Sequence, residues 1–354
     1  HGASPLQISA QLDDLASESY ARRNAAMTQL IEAGSPAIDL ILQKIRNSSE
    51  AEVQIRGLDV LKILADREIA ERNSPAVNAL ETLARSDDPV LARRANTRLD
   101  GVAQQRRDFA VKRLQELGAK VDGDSWRQKI LVGRGMITQR IDLDSNLWHG
   151  TEEDAQLIAE LGDVGEVRLT GPQITDDYLE PLTKLTGLVY VYLSRTSVTD
   201  EGIAKLKACP DLAKVVLRYM DLTDATIGSL AEMNVHSVEI IGTDITLQAV
   251  EGLREQVPGI KVEYKAGAYL GVGADILGTN DQGCRLNRIE PDSAAAKAGL
   301  MVDDIVVSYD GKEITDFESL RNLIAVNRPG DVVSVEWLRG KKSFKADVTL
   351  GAWP

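Results

Sequence analysis

The residue types that most often carry out enzyme chemistry are few in this chain and form no known catalytic pattern. Its 354 residues include three histidines, His1, His149 and His236, and two cysteines, Cys209 and Cys284. The sequence has no Gly-x-Ser-x-Gly elbow, no His-Glu-x-x-His helix and no glycine-rich phosphate loop. Two cysteines in separate regions exclude a disulfide framework and a cysteine zinc site. The sequence therefore predicts no catalytic residue, no metal and no cofactor.

One acidic run comes close to a calcium-binding loop. Asp142, Asp144, Asn146 and Glu153 occupy positions 1, 3, 5 and 12 of an EF-hand-type loop. Position 6, which should be glycine, is Leu147, and the alternation of residues 141–144 is typical of a strand rather than a helix. Calcium binding at this run is a minor alternative to the prediction that the chain holds no metal.

The net charge of −13 is unevenly distributed along the chain. Residues 1–120 carry 17 basic and 17 acidic side chains, residues 121–265 carry 14 and 24, and residues 266–354 carry 10 and 13. No segment is strongly basic, which argues against binding to nucleic acid or to an anionic membrane surface. No apolar run approaches the roughly 20 residues of a membrane span. The chain begins at His1 without a signal pattern, so we expect a processed product.

Apolar residues recur at helical spacing through the first third of the chain, with breakers between the segments. Residues 20–30 are echoed at 53–63 and again at 90–99, each time with an arginine before a stripe of small residues and leucine. This pattern resembles HEAT-type helical repeats, and a plain helical bundle is the alternative. Ser35 and Ser74, each followed by proline, are predicted N-caps, and the last helix is predicted at about 102–117.

Residues 120–265 contain a repeat of about 24 residues. Four segments share a register, and they begin Ile174-Thr-Asp, Val198-Thr-Asp, Leu222-Thr-Asp and Ile245-Thr-Leu. A short alternating stretch precedes each threonine and helically spaced apolar residues follow it, which gives one strand and one helix per repeat. The region resembles leucine-rich repeats, whose units stack into a curved solenoid. We interpret the threonines as helix caps and the acids as partners of the helix dipole.

The strand residues that lie between buried apolar positions should face the concave side of such a solenoid, and they are Arg168, Tyr192, Val216 and Glu239. Their neighbours Glu166, Tyr190, Lys214 and Arg218 should flank them. Together these residues include two tyrosines, two arginines, a lysine and two glutamates, a composition that favours protein recognition. The alternative is an unused, solvated surface. We define the predicted partner face as Arg168, Tyr190, Tyr192, Lys214, Arg218 and Glu239.

The last 89 residues contain an ordered set of motifs. Tyr269-Leu-Gly-Val272 comes first, followed by Pro291-Asp-Ser-Ala-Ala-Ala-Lys-Ala-Gly-Leu300, an Asp310-Gly turn, a predicted helix at 317–326, and two strand-like runs at 332–339 and 343–350. In this order the motifs resemble the PDZ domains of bacterial HtrA-type proteases. The sequence is therefore predicted to be multidomain, with an α-helical repeat region (1–119), an α/β leucine-rich-repeat solenoid (120–265) and a PDZ-like, β-rich α+β domain (266–354).

The resemblance to PDZ domains implies a peptide-binding site. Tyr269, Leu270, Gly271 and Val272 would form a loop whose backbone N–H groups bind the terminal carboxylate of a peptide, and the peptide would add as a strand beside the segment from Val272. The facing wall would be the helix at 317–326, and an apolar pocket implies a ligand with an apolar last residue. The predicted pocket residues of that helix, which have a core role as their alternative, are Leu320, Leu323 and Ile324.

Every predicted module belongs to a class that binds polypeptides, so we expect a non-enzymatic scaffold or adaptor that captures C-terminal tails. One alternative is a regulatory or substrate-sensing component of an envelope proteolysis system. Two others are an enzyme with an unrecognised site and a structural solenoid whose PDZ groove is closed. A serine protease of the HtrA type would need about 200 more residues. An exported or periplasmic bacterial location is implied only by the resemblance.

Overall fold

The computed structural model describes residues 4–69, 74–123, 131–132, 135–136, 139–274 and 283–353. The chain divides into two compact units, an N-terminal helical unit at 1–113 and a second unit at 114–354 that contains the sheets. The calcium-like run and all predicted binding residues lie within the described ranges. Within those ranges, no helix has both the length and the apolar character that crossing a membrane requires.

The N-terminal region is helical, as predicted. Its core is built from leucine, isoleucine and alanine, with Leu30, Ile41 and Leu61 fully buried. Ser74 caps the fifth helix by accepting a hydrogen bond from the N–H of Val77 at 3.3 Å. The helices are α1 (Pro5–Asp14), α2 (Tyr20–Ala33), α3 (Ser35–Asn47), α4 (Ala51–Arg67), α5 (Pro75–Ala84) and α6 (Pro89–Glu116).

Two helix boundaries differ from the prediction. Gly34, with φ +67°, is the residue that precedes α3, so Ser35 lies inside the helix instead of capping it. Helix α6 continues through Gly101, and no separate helix begins at residue 102. One glycine inside a helix costs about 1 kcal/mol, which the buried side chains of Leu91 and Val102 on either side can offset.

A ladder of parallel strands follows. The strand order of the seven-stranded sheet is β1, β4, β5, β6, β7, β8, β9, and all neighbours are parallel except β1 and β4. Val167 pairs with Val191 and Val191 with Val215, so the strand register reproduces the 24-residue period of the sequence. The strands are β1 (Lys120–Gly123), β4 (Gln139–Asp144), β5 (Glu166–Thr170), β6 (Tyr190–Ser194), β7 (Lys214–Arg218), β8 (Ser237–Ile241) and β9 (Lys261–Lys265), and a separate hairpin holds β2 (Leu131–Val132) and β3 (Gly135–Met136).

A short helical segment follows each of the strands β4 to β8. The predicted alternation of strand and helix is therefore present, although three of the repeats use the tighter 3-10 form for all or part of the helical segment. The α-helices are α7 (Glu152–Ala155), α8 (Asp200–Lys205), α9 (Ala225–Glu232) and α10 (Leu247–Gln256), and the 3-10 segments are Gln156–Leu161, Asp176–Lys184 and Leu206–Ala208.

The aspartates of the Thr-Asp pairs differ from the interpretation made from the sequence. Asp176 accepts hydrogen bonds from the backbone N–H (2.8 Å) and the hydroxyl (2.7 Å) of Thr199, which belongs to the next repeat. Asp200 binds Thr223 in the same way, at 3.0 and 2.7 Å. Each aspartate therefore links two successive repeats through hydrogen bonds, and it also places a negative charge near the start of a helix. Asp224 likewise accepts from the backbone N–H and the hydroxyl of Thr246, at 2.7 and 2.9 Å.

The C-terminal region folds as a β-rich domain in which the predicted helix and both predicted strand runs are present. Its main sheet has the order β11, β12, β13, β15, β16, with β14 paired to β13, and β10 pairs separately with β17. Its elements are β10 (Ala268–Tyr269), β11 (Val272–Ala274), β12 (Cys284–Ile289), α11 (Ala294–Lys297), β13 (Ile305–Tyr309), β14 (Lys312–Glu313), α12 (Phe317–Ala325), β15 (Val332–Arg339), β16 (Lys342–Thr349) and β17 (Gly351–Ala352).

We predict that Asp200→Asn destabilises the parallel ladder by about 1–2 kcal/mol, because the carboxylate accepts hydrogen bonds from Thr223 and from the buried hydroxyl of Thr226. Urea unfolding measures the loss, and hydrogen exchange of residues 190–241 shows whether it is local. Asp221→Asn is the control, because Asp221 is exposed and takes no part in these hydrogen bonds. It should change neither the urea unfolding nor the hydrogen exchange.

The effect of Asp200→Asn should depend on pH. Burial raises the pKa of Asp200, but hydrogen bonds from Thr226 and Thr223 outweigh it, and the net direction is downward. A lowered pKa stabilises the fold above the ordinary aspartate pKa of about 3.9, and that stability is lost as the pH falls through the folded pKa. The difference between wild type and variant should therefore shrink below about pH 4. A difference that stays constant down to pH 2 would show that the charge is not involved.

Candidate functional site

The loop between β10 and β11 has a backbone that only glycine can supply. Gly271 lies in the left-handed region, with φ +82°. A Cβ atom at this position would lie 2.1 Å from the Cβ atom of Ser293 and 3.4 Å from the ring of Tyr269. A side chain at position 271 would therefore collide with Ser293 at the start of α11 and would also touch the Tyr269 ring.

The backbone carbonyl groups of this loop have hydrogen-bond partners within the domain, whereas two of its N–H groups have none among the described residues. The carbonyl oxygen of Leu270 accepts from the N–H of Ala295 at 2.8 Å, and that of Gly271 accepts from the N–H of Glu290 at 2.9 Å. In contrast, neither the N–H of Leu270 nor that of Gly271 donates a hydrogen bond to any residue within the described ranges. Buried backbone N–H groups almost always have a partner, so two unpaired ones in a left-handed turn form a ready binding site for an anion.

A second structural feature holds the far side of α11. The side chain of Asp304 is fully buried, and it accepts from the Arg339 guanidinium through both oxygens, at 2.7 and 2.8 Å. Asp304 also accepts from the N–H of Met301, and Arg339 donates to the carbonyl of Gly299, at 2.7 Å. This bidentate pair fixes the segment that follows α11, and with it the support of the Gly271 loop.

The apolar residues predicted to line the groove fall into two groups. Leu270 and Leu320 are 1% and 0% exposed, so their side chains belong to the domain core. Val272, Leu323 and Ile324 are half-buried and pack against that core from outside. The structure therefore places three of the five apolar side chains at an accessible surface, and it gives Leu270 a backbone role only.

Strand β11 is an edge of its sheet, since in the described part of the chain it pairs only with β12. An exposed edge offers unpaired N–H and C=O groups to an added strand. Ala274 is half-buried against the same core as Val272, two residues away on the same side of the strand. Ala274 was not among the residues predicted from the sequence, although the two-residue period of the strand would have indicated it.

The predicted partner face is assembled on strands β5 to β8. The Arg168 guanidinium lies 5.4 Å from the ring centre of Tyr190 and 5.1 Å from that of Tyr192. The Lys214 ammonium lies 5.3 Å from Tyr190, and the Arg218 guanidinium 5.7 Å from Tyr192. Cations and rings therefore alternate across three neighbouring strands, at distances typical of cation–π contacts.

Carboxylates lie deeper than the cations in this face. The Glu166 side chain is 5% exposed and accepts from Arg168, whose own side chain is 33% exposed. Glu239 holds Arg218 in the same way, with an Nε–Oε1 distance of 2.8 Å. Burial is also the main reason that the pKa of Tyr190 is raised. The acids neutralise the cations from beneath, and the face presents guanidinium groups and tyrosine rings outward.

The other residues considered for chemistry have ordinary surroundings. Cys209 and Cys284 are buried free thiols, and burial raises the pKa of each to about 11. Asp142 and Asp144, from the calcium-like run, lie on β4 instead of in a loop, and Asp144 accepts from the N–H of Asn146 at 2.9 Å. Among the described residues, no three histidine, cysteine or acidic side chains are grouped as a metal site would need.

The sequence model of the PDZ domain family matches residues 260–350, so this part of the chain is a PDZ domain. The relatives share this region only. The "Periplasmic pH-dependent serine endoprotease DegQ" of Escherichia coli is 38% identical over 69 residues, which are 20% of this chain and 15% of the relative. The "Serine endoprotease DegS" of the same organism is 34% identical over 73 residues, which are 21% of each chain.

Solved structures are similar to part of this chain as well. One is the HtrA3 PDZ domain bound to a phage-derived ligand, FGRWV, at 16% identity and a TM-score of 0.22, with 24% of this chain and 86% of that chain covered. The chain thus has an N-terminal helical region and a C-terminal β-rich PDZ domain that is similar to those of HtrA-type proteases.

We predict that Gly271→Ala destabilises the PDZ domain by about 3 kcal/mol, because the new methyl group adds a clash with Ser293 to the strain of a left-handed backbone. Gly340→Ala is the matched control. Gly340 also has a positive φ, +63°, but no atom lies within 4 Å of the added Cβ, so the loss should be about 1 kcal/mol. Thermal unfolding followed by tryptophan fluorescence measures both.

The double variant Gly271→Ala with Ser293→Gly separates the two causes. It removes the clashing side chain and should recover more than half of the loss, because glycine replaces a serine cap at a cost of only a few tenths of a kcal/mol. If the double variant is no more stable than Gly271→Ala, the contact with Ser293 does not determine the shape of the loop.

Proposed function

We propose that this protein is a non-enzymatic scaffold or adaptor whose PDZ domain captures the C-terminal tails of other proteins. The observation that supports this proposal best is that the N–H groups of Leu270 and Gly271, beside the edge strand β11, have no hydrogen-bond partner among the residues that the structure describes. A terminal carboxylate is an anion attached to an extended chain, and these two features match its two parts.

In the proposed complex the carboxylate accepts hydrogen bonds from the loop N–H groups, and the preceding peptide residues pair with β11. The last side chain enters the space between β11 and α12, where Val272, Leu323 and Ile324 are half-buried. Their side chains are apolar, so the proposed ligands end in an apolar residue such as valine, leucine or isoleucine. Leu270 and Leu320 support this pocket from within the core.

The remaining regions are proposed to present this site. We assign residues 120–265 to the leucine-rich-repeat class because one strand and one helical segment recur about every 24 residues with parallel register. We assign residues 1–119 to HEAT-like repeats on the recurring arginine-and-leucine pattern. An alternative function is a regulatory or substrate-sensing component of an envelope proteolysis system, because one relative is named a periplasmic endoprotease. The same name favours an exported or periplasmic location.

A peptide-array experiment on the full chain tests tail capture. Octapeptides that end in each of the twenty amino acids are presented as free acids and as C-terminal amides. We expect binding to apolar-ended acids and a loss of at least tenfold on amidation, because the amide cannot accept two charge-assisted hydrogen bonds. Gly340→Ala should bind as wild type does and Gly271→Ala should not. Equal binding of acids and amides would refute carboxylate recognition.

A second candidate function is partner binding by the face Arg168, Tyr190, Tyr192, Lys214, Arg218 and Glu239. The alternating rings and cations favour it, because tyrosine and arginine held rigid by neighbours lose little entropy on binding. The partner would be a second protein, or the folded part of the protein whose tail is captured.

Photo-crosslinking tests this second candidate. A photoreactive amino acid replaces Lys214 on the face, or Glu232 on the exposed helical side as the control. We expect a protein crosslinked from Lys214 and not from Glu232, and its yield should fall at least fivefold when Tyr192→Ala removes the ring beneath Arg168 and Arg218. The same proteins crosslinked from both positions would count against a specific face.

A further inference from the structure

Two residues of the parallel ladder adopt a backbone conformation that is unusual for their type. The residue that follows a ladder strand has a positive φ at four successive repeats: +113° at Gly171, +53° at Arg195, +53° at Tyr219 and +64° at Gly242. Glycine adopts this conformation freely, but arginine and tyrosine do so at a cost of about 1–2 kcal/mol each. Such strain persists where surrounding contacts offset it, so the contacts of Tyr219 are informative.

Tyr219 reaches across the next repeat to the PDZ domain. Its hydroxyl lies 3.1 Å from the carbonyl oxygen of Gly267 and 2.9 Å from that of Trp353. The ring passes over Gly242, where a Cβ atom would lie 2.5 Å from the tyrosine ring. The Arg195 guanidinium lies over the ring, 4.7 Å from its centre. Glycine at 242 and tyrosine at 219 are therefore complementary.

Trp353 carries this contact to the carboxylate loop. Its backbone N–H donates to the carbonyl of Gly267 at 3.0 Å. Its ring lies under the ammonium group of Lys265, the last residue of β9, with 4.0 Å between the ammonium nitrogen and the ring centre. The same ring meets Tyr269 edge-on, with 4.8 Å between the ring centres and 75° between the planes. Tyr269 is the first residue of the loop 269–272, and its ring is the one that a Cβ atom at position 271 would touch, at 3.4 Å. A continuous series of contacts thus joins the ladder to the loop.

The second wall of the groove is attached to the ladder as well. The backbone N–H of Ala266, directly after β9, donates to the carbonyl of Ala325 at the end of α12, at 3.1 Å. Nearby, Arg328 forms an ion pair with Asp244 at 2.7 Å, although both side chains are largely exposed, at 62% and 49%. Exposed pairs of this kind contribute little stability, so the backbone bond is the stronger of the two attachments.

We infer that Tyr219 and Trp353 are positioning residues for the carboxylate-binding loop, so that the repeat region sets the affinity for a tail that it does not touch. This inference depends on the proposed tail capture. Unpaired N–H groups bind an anion best when their directions are fixed before the ligand arrives. Hydrogen bonds from Ala295 and Glu290 to the carbonyl groups of Leu270 and Gly271 hold the loop from within the PDZ domain, and the Trp353–Tyr269 contact holds the residue at which the loop begins.

Titration calorimetry on the full chain tests the inference, with an octapeptide that ends in valine as free acid and as amide. We expect Tyr219→Phe to weaken binding of the acid about three- to tenfold. This is the change in affinity that corresponds to the net free energy of about one hydrogen bond. Trp353→Ala should weaken it at least tenfold, and Trp353→Phe, which keeps an aromatic ring against Tyr269, should restore it to within threefold. Asp244→Asn is the control and should change the affinity less than twofold.

The ratio of acid to amide affinity separates positioning from general stability. A positioning role lowers the affinity for the acid and leaves weak amide binding unchanged, whereas loss of fold lowers both in proportion. The inference is overturned if wild type prefers the acid and both Tyr219→Phe and Trp353→Ala keep its full affinity, or if acid and amide weaken equally. If wild type shows no preference for the acid, the proposed tail capture fails, and this inference fails with it.

Discussion

The hydrogen bonds that a threonine of each repeat donates to the aspartate of the repeat before it determine how the strands of the parallel ladder are stacked. Asp176, Asp200 and Asp224 each accept from both the backbone N–H and the hydroxyl of a threonine 22 or 23 residues further on. A carboxylate that satisfies two donors in a neighbouring repeat fixes the distance and rotation between the two. The parallel strands then align in register, and the tyrosines and arginines of successive strands are brought side by side.

The same regularity determines where the ladder meets the PDZ domain. The residue after each of the strands β5 to β8 has a left-handed backbone, and Tyr219, at one of these positions, extends to Gly267 and Trp353 beyond the end of the ladder. Gly242 leaves room for the ring, and the hydroxyl ends beside Gly267 and Trp353. The geometry of Gly271 is a second, local constraint, since its positive φ turns two N–H groups away from the domain. Both constraints act on the loop of residues 269–272. The contact from Tyr219 and Trp353 reaches Tyr269 at its start, and the backbone of Gly271 shapes its end.

Local patterns in the sequence predicted the features that depend on local physics. The 24-residue period predicted the strand register, and the motif Tyr269-Leu-Gly-Val272 predicted the loop before β11. The inter-repeat role of Asp200 was missed because an acid that follows a threonine has the same local pattern whether it faces a helix dipole or the next repeat. The contact of Tyr219 with Trp353 joins residues 134 positions apart and leaves no periodic signal. Likewise, helical spacing alone could not separate the buried Leu320 from the accessible Leu323.

The attachments between ladder and PDZ domain bear on how two binding surfaces would work together. Surfaces joined by a flexible linker reinforce each other through an effective concentration that depends on linker length. Here only residues 266 and 267 separate β9 from β10, and both are held by backbone hydrogen bonds. The orientation of the β11 groove relative to Tyr190 and Tyr192 is therefore set by contacts, not by linker length. Such an arrangement favours one partner whose tail and folded surface match that fixed angle, and it excludes partners that present the same tail at another angle.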